Sequence, residues 1–508
     1  MTGSNWRRLA LVLGIVLIVA GIALIFGNFA SSTVGGTTLL MGVVAAIVGL
    51  APEQLFTIFK IPELRYKILI TLALLGVYRI GYYIPLPMIN QVKMTEMMAD
   101  GGGGTLGRVF GFVSMFSGGN LSNACIFALG IMPYISASII LQLLSSGVIP
   151  SLEKLRKEGA SGQKKINEYT RYLTVPICVA QSIMFVRWLM DSNPSTGMDL
   201  LIKGYSPLFF GTAAVLTMTA GCLLLMWIGE QIDEFGIGNG ISLIIMAGIV
   251  ARIPDAIGIL LFEPGTTKFK DSLFKLGSGS GDTNLETVVL LTILFLSVIV
   301  GVIAMTKAKR NIVTQSQKFT RGRRQYGGGK QGLPVKVNAA GVMPVIFAST
   351  LLIVPGFLFK IIGSATGAEW AYSIASLFDR GSGWFYNVAY IVMIYLFTYF
   401  WVAIQFNPQE IAENLKDHGT FIPGYRPGKS TADYLEKVLL RITYVGAAFL
   451  AIIAIIPSIM TSELGVDPRV AGFFGGTGLL IVISVALDLV TKINSHLVMR
   501  NYPGLTDE

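Results

Sequence analysis

The residues of this sequence that could perform chemistry are few and widely spaced. Its three cysteines, Cys125, Cys178 and Cys222, each lie inside an apolar run, where burial keeps a thiol protonated and unreactive. The two histidines, His418 and His496, are far apart, and no H-x-x-x-H or C-x-x-C spacing occurs. We therefore predict no disulfide framework, no metal site, no cofactor and no enzymatic activity.

One segment, Gly424 to Ser430, superficially resembles a phosphate-binding loop. Its spacing is G-x-x-x-G-K-S, one residue shorter than that loop requires, and no strand pattern precedes it. A rigid loop with an exposed arginine is better suited to docking a partner, because a guanidinium offers a planar fork of donors to carboxylates and carbonyls. A solvated loop without a partner is the alternative.

The composition places most of the chain in lipid. Hydrophobic residues make up 53% of the 508 positions and charged residues 13%, about half the charged fraction of soluble domains. The apolar residues form runs of about 18 to 25, long enough to cross hydrocarbon as helices. We predict spans near residues 9–27, 35–51, 67–84, 123–147, 171–190, 207–229, 238–262, 286–306, 338–362, 384–406, 435–457 and 473–497.

The basic residues fix the predicted orientation. Lys and Arg concentrate between 150 and 171 and between 307 and 337, and positively charged loops stay in the cytoplasm. We therefore attribute most of the net charge of +10 to the topology of the membrane spans rather than to a nucleic-acid partner. Residues 1–52 contain two spans without a convincing cleavage site, so we predict a retained hairpin, with both termini of the chain cytoplasmic.

Two further segments differ from ordinary spans. Residues 106–119 are apolar but too short to cross, and glycines flank them; they are either a re-entrant half-helix or an interfacial helix. The 307–337 segment is basic and glycine-rich, and its charge could attract ribosomal RNA or an acidic protein surface. The same charge is equally expected of a loop that only fixes topology.

Several long motifs together resemble the SecY family, the central subunits of the Sec translocon. The likeness extends over roughly residues 55 to 500, and its motifs are Phe116–Gly119, Ile126–Ser138, Gly229–Ile232, Gly236–Ser242, Lys336–Pro344, Phe406–Glu410, Tyr425–Gly428 and Phe473–Thr477. Residues 1–52 precede the usual start of the family, and we derive no purpose for them.

The resemblance implies an all-α membrane fold of ten helices in two halves of inverted topology, with a lateral gate toward lipid. The chain would divide into the extra hairpin 1–52, an N-terminal half 53–262 and a C-terminal half 263–505. The second half would carry cytoplasmic loops at 307–337 and 407–434.

By the same resemblance, individual residues acquire expected roles. A ring of apolar side chains at the constriction would exclude ions without holding a passing chain by hydrogen bonds; without the family, core packing would be the default interpretation of these residues. The expected pore ring is Ile131, Ile135, Ile245, Ile346 and Ile481; the plug is 106–119, with Phe110, Phe112, Met115 and Phe116; the lateral gate contains Gln181 and Asn338; the docking residues are Arg323, Arg324 and Arg426.

The function implied is a protein-conducting channel that passes unfolded secretory proteins and releases signal sequences and transmembrane segments sideways into lipid. The implied partners are the SecE and SecG subunits, the SecA motor ATPase, the ribosome, signal peptides, unfolded secretory chains and membrane lipids, in the bacterial cytoplasmic membrane. A small-solute secondary transporter is the alternative that inverted halves also permit, but it predicts ionisable residues at mid-span, which are scarce.

Overall fold

The protein is described here by a computed structural model, which covers residues 61–87, 89, 124–145, 149–191, 206–261, 285–321, 324–327, 329–366, 369–378, 384–463, 466, 470–472 and 476–500. The predicted hairpin 1–52 and the predicted plug 106–119 lie outside the described residues.

The described chain is mainly helical. The helices of the first half are α1 Pro62–Tyr83, α2 Met132–Leu143, α3 Pro150–Lys157, α4 Ala160–Asp191, α5 Pro207–Phe235, α6 Gly240–Val250 and α7 Ile253–Leu261. Those of the second half are α8 Leu285–Lys307, α9 Met343–Thr366, α10 Glu369–Leu377, α11 Trp384–Gln405, α12 Pro408–Asp417, α13 Lys429–Glu463 and α14 Thr477–Arg500. Helices therefore occupy all ten predicted spans that fall within the described ranges.

Two predicted spans differ in detail from the helices that occupy them. The span predicted at 123–147 is a regular α-helix only over α2, because the chain first forms turns in which Cys125 bridges to Pro85. The span predicted at 238–262 breaks between α6 and α7, next to Pro254, which lacks the backbone N–H that a continuous helix needs. Both interruptions leave helices that are shorter than the predicted spans.

Many large apolar side chains are exposed on the outside of the helices. Leu216 on α5, Ile293 and Val300 on α8 and Leu396 on α11 are all more than half exposed, which a soluble protein rarely tolerates over a continuous surface. Within the described residues, five helical stretches, in α5, α8, α11, α13 and α14, are long and apolar enough to cross a membrane. The chain is thus a multi-pass membrane protein.

The basic 307–337 segment is a β-hairpin, which the sequence patterns did not predict. Its strands are β1 Lys309–Ser316, β2 Lys318–Arg321, β3 Arg324–Gly327 and β4 Lys330–Lys336. β1 pairs antiparallel with β4, with Ile312 opposite Leu333, and with the short β5 Thr420–Phe421 on its other side, while β2 pairs with β3. The hairpin is therefore joined to the segment that precedes α13.

The apolar face of this sheet packs against the start of α13. The buried side chains of this cluster are Ile312, Val335, Ile422, Leu435, Val438, Leu439 and Ile442. We call β1, β4, β5, α12 and the first turns of α13 the platform. The region predicted as a loop at 407–434 thus contains α12, β5 and the start of α13. Asn407 caps α12 by accepting a hydrogen bond from Gln409 N at 3.2 Å.

Candidate pore constriction and gate

One apolar cluster brings together the five isoleucines expected at the pore ring. Ile131, Ile135, Ile245 and Ile481 are 0%, 7%, 7% and 5% exposed, and the partly buried Ile346 packs against the same cluster. They come from α2, α6, α9 and α14, so helices of both halves meet here. We call this group, with its other buried members, the pore cluster.

The five isoleucines lie where their helices begin. Ile131 is the N-cap of α2 and Ile135 follows one turn later, with its N–H donated to the carbonyl of Ile131 at 3.1 Å. Ile245, Ile346 and Ile481 fall within the first two turns of α6, α9 and α14. Because side chains one helical turn apart share a face, α2 presents both of its isoleucines to the same cluster.

A fixed turn between α5 and α6 places Ile245. The Asp233 carboxylate accepts a hydrogen bond from Gly240 N at 2.8 Å, and Asn239 Oδ1 accepts from Ser242 N at 3.0 Å, which caps α6. Gly238 has a φ of +107°, a conformation that favours glycine. A Cβ on Gly240 would collide with the carbonyl of Gly229, so this glycine allows α6 to lie directly against α5.

The same turn is tied to the first helix. Thr71 Oγ1 on α1 accepts a hydrogen bond from Ile237 N at 3.1 Å and donates to the carbonyl of Lys67 at 2.9 Å. The buried N–H of Ile237 is thereby satisfied. These bonds make α1, α5 and α6 one supporting unit behind the first half of the cluster.

An ion pair joins α4 to α5 in the first half. Arg171 Nε lies 2.6 Å from Glu230 Oε1, and the two side chains are 49% and 24% exposed. Because both groups are partly solvated, we expect the pair to orient the two helices more than to stabilise them.

The two expected gate residues lie in different halves of the chain. Gln181 lies on α4 and Asn338 lies between β4 and α9, and both are half-buried. Asn338 Oδ1 is buried and has no hydrogen-bond partner among the described residues. In the same part of the chain no hydrogen bond joins Gln181 to Asn338, so the cross-gate bond expected from the sequence is not present in this structure.

Two of the three expected docking residues, Arg324 and Arg426, lie in the described part of the chain. Arg426 is exposed in the turn before α13, where its carbonyl accepts from Thr431 Oγ1 at 2.8 Å and the ring of Tyr425 lies 4.3 Å from that of Tyr434. Arg324 begins β3, opposite Arg321 in the β2–β3 hairpin. Arg323 falls outside the described residues.

The described residues provide no set of ligands for a metal. No group of three His, Cys, Asp or Glu side chains within the described ranges could hold an ion. What the described residues do bring together is the apolar pore cluster.

Comparisons with known proteins agree with this geometry. The family model described as SecY matches residues 125–490. The protein translocase subunit SecY of Corynebacterium glutamicum is 43% identical over 454 residues, which cover 88% of this chain and 98% of that protein. Both matches are long enough to identify the family rather than a shared local motif.

Two solved structures share the fold at lower identity. A protein conducting channel is 21% identical with a TM-score of 0.57, covering 87% of this chain and 95% of that one. Sec61 in the canine ribosome–channel complex from the endoplasmic reticulum is 19% identical with a TM-score of 0.55, over 87% and 95% of the two chains. These two likenesses support the architecture of two helical halves.

Proposed function

The chain belongs to the SecY family, and from that premise we propose that it is the protein-conducting channel subunit of a bacterial Sec translocon. Unfolded secretory chains pass between its two halves, and signal sequences and transmembrane segments leave sideways into lipid. The observation that carries this proposal is the pore cluster, in which isoleucines from both halves pack together.

An apolar constriction suits this activity physically. It dewets when the chain is absent, which excludes ions, and it offers no hydrogen bonds that would retain a passing polypeptide. Sideways release is then a partition into lipid, favoured by about 0.3 to 0.6 kcal/mol for each central Leu, Ile, Phe or Val. None of the relatives named above is a solute transporter, and we do not retain that alternative.

The remaining site residues extend the proposal. Residues 106–119, with Phe110, Phe112, Met115 and Phe116, act as the plug on the outer side of the constriction. Gln181 and Asn338 line the lateral gate, and the unsatisfied amide oxygen of Asn338 supports this role, because a buried polar group without a partner is retained at a cost of about 1–3 kcal/mol.

The platform and its hairpin, on the cytoplasmic side, are the proposed docking surface for the SecA motor and the ribosome. Arg323, Arg324 and Arg426 supply guanidinium donors there, and the ribosome-bound state of the canine Sec61 structure supports a ribosomal partner. SecE and SecG complete the complex. The chain lies in the bacterial cytoplasmic membrane with both termini in the cytoplasm, since its basic loops are then cytoplasmic.

The proposal is tested by crosslinking a stalled secretory precursor to single photoreactive residues at Ile131, Ile245 and Ile481. We expect adducts at all three positions in the complete membrane complex. The matched control is Ile293 on α8, an isoleucine that is 63% exposed on the outside of the helices. Crosslinking at Ile293 but not at the three cluster positions would show that the precursor does not pass through the centre.

A further inference from the structure

A hydrogen bond connects the cytoplasmic ends of the two halves. Arg156 Nη2, on α3 of the first half, donates to the carbonyl oxygen of Ile404, on α11 of the second half, at 3.1 Å. The two residues are 248 positions apart in the sequence. The contact therefore joins the two halves at residues that are not part of the pore cluster.

The acceptor is a carbonyl that has no hydrogen-bond donor within its own helix. Ile404 is the penultimate residue of α11, and the last four carbonyls of a helix have no intrahelical donor. This end of a helix also carries a partial negative charge, which favours a nearby cation. The guanidinium of Arg156 thus caps α11 from the opposite half.

The donor is held in position by the way α3 folds back on α4. Gly159, with a φ of +73°, makes the turn between them, and its N–H is donated to the carbonyl of Arg156 itself at 3.4 Å. A Cβ on Gly162 would collide with the carbonyl of Leu155, so the two helices are in backbone contact. Arg156 consequently moves with α4, which carries the gate residue Gln181.

The end of α11 is joined in turn to the segment that carries the other gate residue. With its amide oriented to satisfy both atoms, the Gln405 side chain donates to the Ala339 carbonyl at 3.0 Å and accepts from Trp401 Nε1 at 3.2 Å. Phe347 on α9 stacks on Phe397 of α11, with ring centroids 5.5 Å apart. Ile404 consequently moves with α9 and with Asn338.

From these contacts we propose that Arg156 is a clasp that holds the cytoplasmic end of the lateral gate closed. This inference rests on the proposed function, because it assumes that the two halves separate sideways. Opening breaks the bond to the Ile404 carbonyl and returns the guanidinium to water. Arg156 is thus a positioning residue that sets how readily the gate opens.

The test uses the complete translocon in proteoliposomes and a precursor whose signal sequence carries one charged residue in its apolar segment. Such a signal opens the gate poorly, so its export rate depends on how strongly the channel favours the closed gate. We expect Arg156→Ala to raise that rate about two- to fivefold, the range expected for a solvent-exposed contact of a charged group. Arg156→Lys, which keeps a cation that can reach the carbonyl, should remain near the wild-type rate.

The matched control is Lys154→Ala. Lys154 lies on the same helix, is exposed and carries the same charge, but its side chain has no bond to α11 among the described residues. A rate for Arg156→Ala equal to that of Lys154→Ala would overturn the clasp, since net charge alone would then explain the effect.

A second readout separates the gate from other causes of faster export. Spin labels attached through Ile183→Cys on α4 and Leu396→Cys on α11, both exposed to the outside, report the distance across the gate. Arg156→Ala should increase the population with the longer separation, and an unchanged distribution would refute the clasp. Failure of the wild-type complex to export an intact precursor would instead refute the proposed function.

Discussion

The pore cluster and the platform differ in which parts of the chain they join. The buried members of the platform cluster all lie between Ile312 and Ile442, inside the second half, and backbone ladders bind β1 to both β4 and β5. The pore cluster combines side chains of α2 and α6 with those of α9 and α14, and within the described ranges no strand ladder joins these helices. One region can therefore stay intact while the other separates.

The difference indicates how the two regions divide the work of translocation. Apolar side chains that meet at a seam can part and close again, because dispersion and burial have no fixed hydrogen-bond geometry to restore. A hydrogen-bonded sheet sealed by α13 opens only by local unfolding. We expect substitutions in the first region to change gating and sealing, and substitutions in the second to change partner binding.

The largest effect is expected from a charge placed in the pore cluster. Ile245→Asp puts a carboxylate at a site that is 7% exposed, and an ionised group at such a depth costs about 3 kcal/mol or more unless water enters with it. Since 1.4 kcal/mol corresponds to a factor of ten, we expect the ion current of the resting channel in planar bilayers to rise by about tenfold or more.

The control for that experiment is Ile245→Val, which shortens the side chain but keeps the site dry. Its resting current should match that of the wild type. An unchanged current for Ile245→Asp in a folded channel would mean that this residue does not line the ion path.

The next largest effect is expected in the platform. Ile312→Ala removes a side chain that is 4% exposed between the sheet and α13, and such truncations cost about 2–5 kcal/mol. We expect a loss of SecA and ribosome binding by purified complexes, with the resting ion current unchanged.

The neighbouring residue supplies a matched control. Val313 is 52% exposed, because consecutive strand residues point to opposite faces. Val313→Ala should bind both partners as the wild type does. Equal losses in the two variants would show that partner contact, rather than the folded sheet, is what Ile312→Ala disturbs.

A smaller effect is expected where the two helices behind the cluster touch. Gly240→Ala introduces a Cβ against the Gly229 carbonyl, and overpacking of this kind costs about 1–3 kcal/mol of unfolding free energy. Thermal unfolding in detergent measures the loss. Gly258→Ala on α7, where a Cβ meets no atom within 4 Å, should be neutral or stabilising by about 0.5–1 kcal/mol, and a loss as large as that of Gly240→Ala would contradict the close approach.

The sequence patterns predicted the two regions to different extents. Spans are predictable because hydrocarbon thickness sets their length, and each of the ten predicted spans in the described part of the chain contains helix. The isoleucines of the pore cluster were identified only through the family motifs, since isoleucine in a span otherwise indicates packing. The strands of the platform escaped prediction because β1 alternates weakly, and α13 supplies the apolar surface that buries Ile312.

The contact between Arg156 and Ile404 escaped prediction for another reason. Its acceptor is a backbone carbonyl, which every residue possesses, so no side-chain pattern marks it. The capping signal of α12 was present in the sequence, since asparagine followed by proline at 407 and 408 is typical of a helix start.

The smallest effect is expected from the ion pair between α4 and α5, and it tests whether polar contacts stabilise the first half at all. Arg171 is about half exposed, so water already screens its charge, and a solvated pair contributes about 0–1 kcal/mol. Arg171→Gln should therefore shift thermal unfolding no more than Lys492→Gln, which breaks the exposed pair with Asp488 on α14. A loss clearly above that of Lys492→Gln would mean that the pair is shielded from water in the membrane. An ion pair, and not apolar packing alone, would then stabilise the helices behind the pore cluster. The contrast between the apolar pore cluster and the hydrogen-bonded platform would be weaker.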